Sequence, residues 1–402
     1  MPILLKIILN TAGVILAAAV AIAACIGVIL VDMSSSHGAG GNPYSRILFS
    51  KEAKATVRGV RRIDDEGRLY YMDFTAKYDT PIARFLFSRF SSVTDFGCSS
   101  FRASNGAGDV LHCRNYDVPH KNPEGGMTGL NVVVHCNEKG CYETLAVADA
   151  CWFSQIGFDY YAGSLDNGET NLTPLALLPF FCMDGMNERG LAASILALDI
   201  KEGEHAVCQA AGGGLQTVNI SVMLRYILDR CATVEEAYEL ASRYNMTNTF
   251  ANDYHIFLTD SEGNSGVLEW RHNTLTLTYT DAATNFYCGY DDAEDNYYGG
   301  SLKESFPGPA DAEKEYRYGY GHGYGRFNTI VTSLDALDKN NTLTEEEAFS
   351  ILAAVAQDYD GGLTSYTQYS VIYNTPELTA DICIAQDFEH IRSFSCKQIY
   401  AS

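Results

Sequence analysis

The chain has 402 residues, with 50 Asp and Glu against 28 Lys and Arg and a formal net charge of −22 at pH 7. That length buries a large core, as one large domain or two ordinary ones. Such an acidic chain argues against nucleic acid as a partner, because phosphate binding needs a basic surface.

Ile7 to Val31 contains no charged side chain, and a bilayer-spanning helix needs about 20 residues. The run outlasts a secretory h-region of about 7–15 residues, so residues 1–32 read as an uncleaved membrane anchor. Secretion after cleavage near Ala24-Cys25 is the alternative. Lys6 before the run and Asp32 after it place the body outside the cytoplasm by the positive-inside rule. Residues 33–97 read as a linker and propeptide-like leader, opening on the flexible Ser/Gly run Ser34 to Gly41. The leader holds ten basic and seven acidic residues, and Cys98 to Ser402 holds 17 and 42. Opposite signs suggest that the leader docks on the body; solvation of a loop-rich segment explains the charges equally well.

From Cys98 onward the pattern is strand-rich. Val132 to His135 and Thr144 to Val147 flank the turn Asn137-Glu138-Lys139-Gly140, which would let Cys136 and Cys141 face each other. Gly190 to Leu198 is small and apolar, as in a buried strand. Ser221 to Leu228 and Thr233 to Tyr244 read as helices, the second with Thr233 as N-cap and Glu236 closing a capping box. Ile256 to Asp260 and Gly266 to Trp270 form a hairpin pattern. The acidic run 291–295 lacks EF-hand spacing and reads as a solvated loop. Tyr297 to Tyr324 is rich in Tyr and Gly, a surface loop or an aromatic cover for an apolar substrate. Thr344 to Gln357 reads as a helix, capped by Thr344 with three glutamates in its first turn. Of the twelve cysteines, none forms a CxxC pair or sits beside a His cluster, so no zinc spacing is present.

The chemistry concentrates around Cys98. Phe96-Gly97-Cys98-Ser99-Ser100-Phe101 leads into the turn Asn105 to Asp109 and then His112-Cys113-Arg114-Asn115-Tyr116-Asp117. A strand carrying a thiol, a turn, and a strand returning a cation and a carboxylate to the same place suit an amidase with an N-terminal nucleophile. Amide carbonyls need a strong nucleophile, a base for its proton and donors for the oxyanion. Gly97-Cys98 offers a bond the thiol could cut itself, freeing an α-amine as that base.

With the blocks Asp184 to Leu191, Tyr254 to Asp260, Ala283 to Tyr287, Gly325 to Phe327 and Thr367 to Tyr373 in the same order, this pattern resembles the linear amide C–N hydrolases. That group includes choloylglycine hydrolases, penicillin V acylases, acid-ceramidase-like enzymes and autoproteolytic acyltransferase/hydrolases. The resemblance spans roughly residues 98–402, the expected amidohydrolase domain, with a weaker echo at Leu69 to Phe74. It implies an α/β fold, the four-layer αββα sandwich with two antiparallel sheets. It further implies self-cleavage between Gly97 and Cys98, Cys98 as nucleophile and Arg114 as the cation that depresses the thiol and contacts substrate. Asp117 would hold the α-amine, the Asn285 amide would donate to the oxyanion, and Arg326 would support the site electrostatically. No metal or organic cofactor is implied.

Where choloylglycine hydrolases place a further oxyanion-hole Asn, this chain has Ala197, which speaks against bile-salt hydrolysis. The expected activity is hydrolysis of a linear amide in an N-acylated small molecule through a thioester. Transfer of the acyl group to an amine, or an inactive membrane-tethered binding protein on the same fold, are the alternatives. Oligomeric state is not legible.

Overall fold

The computed structural model describes residues 50–78, 97–120, 129–198, 215–246, 253–271, 273–288, 323–337, 342–358 and 366–397. The apolar segment Ile7 to Val31, the Ser/Gly run, the acidic run 291–295 and the Tyr/Gly-rich stretch up to His322 lie outside the described residues. Among those described, no helix is long and apolar enough to cross a membrane.

The first elements are helix α1 (Lys51–Val57) and strands β1 (Arg61–Arg62), β2 (Leu69–Phe74), β3 (Gly97–Ser104), β4 (Val110–Asp117), β5 (Asn131–Cys136) and β6 (Thr144–Asp149). Strands β7 (Cys182–Asn187) and β8 (Ala192–Leu198) follow. The short strands β9 (Thr217–Val218) and β10 (Asn245–Met246) bracket helices α2 (Ile220–Arg230) and α3 (Val234–Ala241). Next come β11 (Asp253–Thr259), β12 (Ser265–Arg271), β13 (Thr274–Tyr279) and β14 (Ala282–Ala283), then helices α4 (Tyr324–Asp335) and α5 (Glu345–Ala354). The last strands are β15 (Thr367–Asn374), β16 (Thr379–Ile384) and β17 (Arg392–Ser395).

Among the described residues the strands form a nine-stranded sheet, β1-β2-β5-β6-β7-β8-β11-β12-β13, and a six-stranded sheet, β14-β3-β4-β15-β16-β17. Helix α2 lies on β7 and β8, while α4 and α5 lie on β3, β4 and β15, and β3 meets β8 between the sheets. The order is therefore helix, sheet, sheet, helix: the expected αββα sandwich. Within these two sheets pairing is antiparallel except where β2 joins β5 in parallel, and β9 and β10 pair with each other in parallel as a separate two-stranded sheet.

That exception changes how the leader is understood. Leu69 to Met72 and Phe74 are buried, and β2 is an integral strand of the larger sheet. The expected boundary at Gly97 divides the sequence but not the fold. The docking is apolar strand pairing; among the described residues, the leader's charges add surface pairs such as Arg62 with Asp166 at 3.0 Å, worth little in water.

Local signals mostly hold. The β5–β6 and β11–β12 hairpins form as expected. Thr344 and Glu347 complete a capping box on α5. Thr233 caps α3, but the Glu236 carboxylate reaches the Ala232 N–H instead of closing the box, and the helix ends at Ala241. Cys136 and Cys141 do not pair: register sets Cys136 opposite Thr144, and Cys141 lies inside the turn. The ten described cysteines are all free thiols. Asn187 fixes the turn between β7 and β8: its Oδ1 accepts the Arg189 and Leu191 N–H groups. Its Nδ2 holds the Leu228 and Cys231 carbonyls at the end of α2.

His112 ties the sheets together. From β4 its ring reaches Thr259 Oγ1 at 3.0 Å and Ser194 Oγ at 2.6 Å on the facing sheet. Burial, reinforced by the Arg114 charge, pushes its pKa down to about 3 from an ordinary 6.5. Between these values the unfolded chain binds a proton that the native ring refuses, so stability is lost as pH falls from 6.5 toward 3. The slope is about 1.4 kcal/mol per pH unit. Urea midpoints measured from pH 7 to pH 4 should fall less steeply in His112→Gln, by about one proton's worth.

Candidate active site

Cys98 is the second residue of β3, and register places it opposite Tyr116, with Gly97 opposite Asp117. Side chains alternate across a strand, so Cys98, Arg114 and Tyr116 enter the space between the sheets while Asp117 faces α4 and α5. The two expected halves of the site therefore lie on opposite faces of one sheet and meet at the Gly97–Cys98 backbone.

On the inter-sheet side, Arg114 NH2 lies 3.2 Å from Cys98 Sγ and donates to the Ile195 carbonyl at 2.7 Å. Its NH1 donates to the Met183 carbonyl and pairs with Asp184 Oδ2 at 2.9 Å. Asp184 in turn accepts the Tyr369 and Tyr373 hydroxyls, each at 2.5 Å. All four residues of this clamp are fully buried. Although burial disfavours its charge, the Cys98 and Asp184 charges hold the Arg114 guanidinium protonated above the ordinary arginine range. The thiol goes the other way. Burial pushes the Cys98 pKa up, Asp117 adds to that, and Arg114 only partly offsets them. Arg114 pulls the thiol down as expected of it, but desolvation of the thiolate outweighs one cation, so the net shift is upward.

On the helix side, Asp117 is held from three directions. Its Oδ1 accepts from Thr367 Oγ1 at 2.7 Å, and its Oδ2 accepts from Gln357 Nε2 at 2.6 Å and faces Arg326 NH1 at 3.4 Å. Arg326 NH1 also donates to the Cys98 carbonyl at 2.6 Å and to Ser99 Oγ at 2.7 Å, and its NH2 reaches Asn285 Oδ1 at 2.6 Å. A Cβ at position 97 would stand 2.3 Å from Gln357 Nε2, 3.2 Å from Arg326 NH2 and 3.3 Å from Asp117 Oδ2, so a side chain there would push Gln357 off Asp117. That close approach accounts for glycine before Cys98.

Asn285 completes the ring. Its Oδ1 accepts the Cys98 N–H at 3.0 Å, and its Nδ2 donates to the Ala197 carbonyl at 2.7 Å. The residue expected as an oxyanion donor is thus also the contact to the Cys98 nitrogen, with one Nδ2 proton left for an oxyanion. Ala197 contributes its carbonyl to the site, as a brace for Asn285.

The structure brings Gly97, Cys98, Arg114, Asp117, Asn285 and Arg326 together. Sequence reasoning missed Asp184, Gln357, Thr367, Tyr369 and Tyr373 as site residues. Four of them lie in blocks that carried the resemblance, which was the available signal. Gln357 gave none. Two clusters set His, carboxylate and thiol atoms within 4.8 Å of one another: His120 with Asp149 and Cys151, and His255 with Glu269 and Cys288. In both, the carboxylate already accepts hydrogen bonds from its neighbours, so they form polar networks. His120 and Tyr116 share Asp149 Oδ2 at 2.5 and 2.7 Å, and Trp152 Nε1 donates to the Tyr116 hydroxyl at 2.8 Å.

Residues 171–386 match the model of the family described as acyl-coenzyme A:6-aminopenicillanic acid acyl-transferase. The match contains Asp184, Asn285, Arg326 and Thr367 and begins after Cys98 and Arg114. A comparison with curated proteins finds no match. Similar solved structures include a variant of conjugated bile acid hydrolase from Clostridium perfringens, 15% identical over 74% of this chain and 92% of that one, TM-score 0.49. A second variant of that enzyme is 16% identical at the same coverage and TM-score. Penicillin V acylase from Agrobacterium tumefaciens is 15% identical over 72% of this chain and 83% of that one, TM-score 0.43. With more than half of the chain matched, the protein belongs to the acyl-coenzyme A:6-aminopenicillanic acid acyl-transferase family.

Proposed function

We propose that the chain is a self-processing cysteine amidase that hydrolyses a linear, non-peptide amide in an N-acylated small molecule. One juxtaposition carries the reading: Cys98 Sγ lies 3.2 Å from Arg114 NH2 while the Cys98 N–H lies 3.0 Å from Asn285 Oδ1. A thiol beside a fixed cation, with its own nitrogen held by an amide oxygen, is the arrangement that self-cleavage followed by amide attack requires.

In processing, Sγ attacks the Gly97 carbonyl, a thioester forms, the Gly97–Cys98 bond breaks, and the thiol proton passes to the departing nitrogen. Water then releases the Gly97 carboxylate. The new α-amine stays between Asn285 Oδ1 and Asp117. With an ordinary pKa of about 7.7–8.0, it takes the thiol proton when a substrate amide is attacked and returns it to the leaving amine. A raised thiol pKa suits this order, because the thiolate then forms only as the base accepts its proton. The second Asn285 Nδ2 proton is the available side-chain donor for the oxyanion. The charge-free segment Ile7 to Val31 would tether the body to a membrane on its extracytoplasmic side.

N-terminal sequencing and intact mass of the purified chain test this. A new terminus at Cys98 is expected, with both pieces eluting together until denatured, because β2 remains a strand of the larger sheet. A chain that stays whole and releases no amine from a panel of N-acyl amides would return the binding-protein reading. The acyl-transferase description of the matched family favours a second reading, in which an amine resolves the thioester. Partition of product between acid and new amide, with a competing amine present, separates the two.

A further inference from the structure

Asn285 sits where regular structure has ended. Strand β14 stops at Ala283, so the segment 284–288 has no ladder to hold it. Two buried side chains on the larger sheet anchor it on either side of Asn285. His255 on β11 places Nε2 2.8 Å from the Thr284 carbonyl, one residue before Asn285. Its Nδ1 lies 3.1 Å from Glu269 Oε1 on β12, and that same oxygen accepts the Cys288 N–H at 2.7 Å, three residues after Asn285. His255, Glu269, Thr284 and Asn285 are all fully buried.

We infer that His255 and Glu269 are positioning residues for Asn285, and that His255 does this as an imidazolium with a proton on each nitrogen. The argument is one of donors and acceptors. A carbonyl oxygen only accepts, and so does a carboxylate. A neutral ring has one N–H, so it satisfies either Thr284 or Glu269 and turns a lone pair toward the other. Two donors satisfy both, and the ionised Glu269 compensates the charge where an unpaired one is costly. The pair thereby clamps the backbone on both sides of Asn285 while Ala197 and Arg326 hold its side chain. Rotation of the 284–288 segment would carry Oδ1 off the Cys98 nitrogen, and misplacement by about 1 Å costs on the order of 10²-fold in rate.

This inference rests on the function proposed above, so its test includes a readout independent of processing. In the Cys98→Ala chain, long-range 1H–15N spectra of the histidine rings should show His255 protonated at both nitrogens at neutral pH. A ring protonated at one nitrogen overturns the inference. In the same chain, Glu269→Gln should speed hydrogen exchange of the Asn285 side-chain amide about tenfold while backbone amides of β11 and β12 stay protected. Uniform loosening of the sheet would mean a merely structural pair. With Cys98 present, Glu269→Gln and His255→Gln should each slow processing on the order of 10- to 100-fold at temperatures where the fold persists. Unchanged processing overturns the inference. So does an ion bound in stoichiometric amount at the pair, found by elemental analysis. If the unsubstituted chain does not process, the proposed function fails while the ring spectrum still decides this point.

Discussion

Cys98→Ala should leave the chain whole at 44.1 kDa and remove amide turnover by a factor on the order of 10⁴ or more. The substitution removes the Sγ proposed to form the thioester. Arg114, Asp117, Asn285 and Arg326 keep their partners, since only one of Arg114's hydrogen bonds ends on Sγ. The fold should therefore change by about 1 kcal/mol, the usual net worth of one hydrogen bond. Urea denaturation beside intact mass separates the chemical effect from a folding defect. Residual cleavage between Gly97 and Cys98 in this variant would show that something other than the thiol attacks. Cys98→Ser should fall between the two, because its hydroxyl is the weaker nucleophile near neutral pH.

The second large effect concerns stability as well as rate. Asp184→Ala leaves the Arg114 cation uncompensated in a dry interior and strands the Tyr369 and Tyr373 hydroxyls. Breaking one partner of a buried pair costs about 3–5 kcal/mol, enough to unfold a marginal domain. The urea midpoint should drop accordingly. Arg114 should also leave Sγ, because its other anchors are two backbone carbonyls. A double variant, Arg114→Met with Asp184→Leu, removes both charges and should recover much of the lost stability. It should not recover processing. Recovery of both would show that Arg114 serves packing alone. Asp184→Asn is the milder probe, since its amide still accepts one tyrosine hydroxyl but cannot neutralise the guanidinium.

The hairpins around 137–140 and 261–264 and the caps at Thr344 and Thr233 were legible because each is a local signal, whereas the αββα order came through the resemblance. An alternating strand, a turn residue or a hydroxyl three residues before a glutamate acts within a few positions of itself. Cys98, Arg114 and Asp117 were legible for a related reason: they sit on two strands joined by one short turn, so spacing alone implies that they meet. Asn285 and Arg326 came only through the resemblance, since nothing in their spacing reports a contact with Cys98 across nearly two hundred residues or more.

Several conclusions needed the fold. Which face each residue takes is a matter of register, and register places Cys98 with Arg114 between the sheets but Asp117 with Gln357 beneath the helices. The direction of the Cys98 pKa depends on burial against one cation, a competition that spacing does not reveal. Cys136 and Cys141 looked ready to pair until the turn geometry placed Thr144 opposite Cys136. Asp184 stood in the sequence only as the start of a block carrying the resemblance, although its charge is held by two tyrosines nearly two hundred residues away. From its own order of residues, the chain determined its strands, its caps and the thiol–cation–carboxylate motif, because those depend on neighbours along the backbone. Only tertiary structure decided that the leader strand belongs to the larger sheet, that Asp184 clamps Arg114, and that Asn285 holds the Cys98 nitrogen. Those contacts arise from sheet pairing and desolvation between segments far apart in the chain.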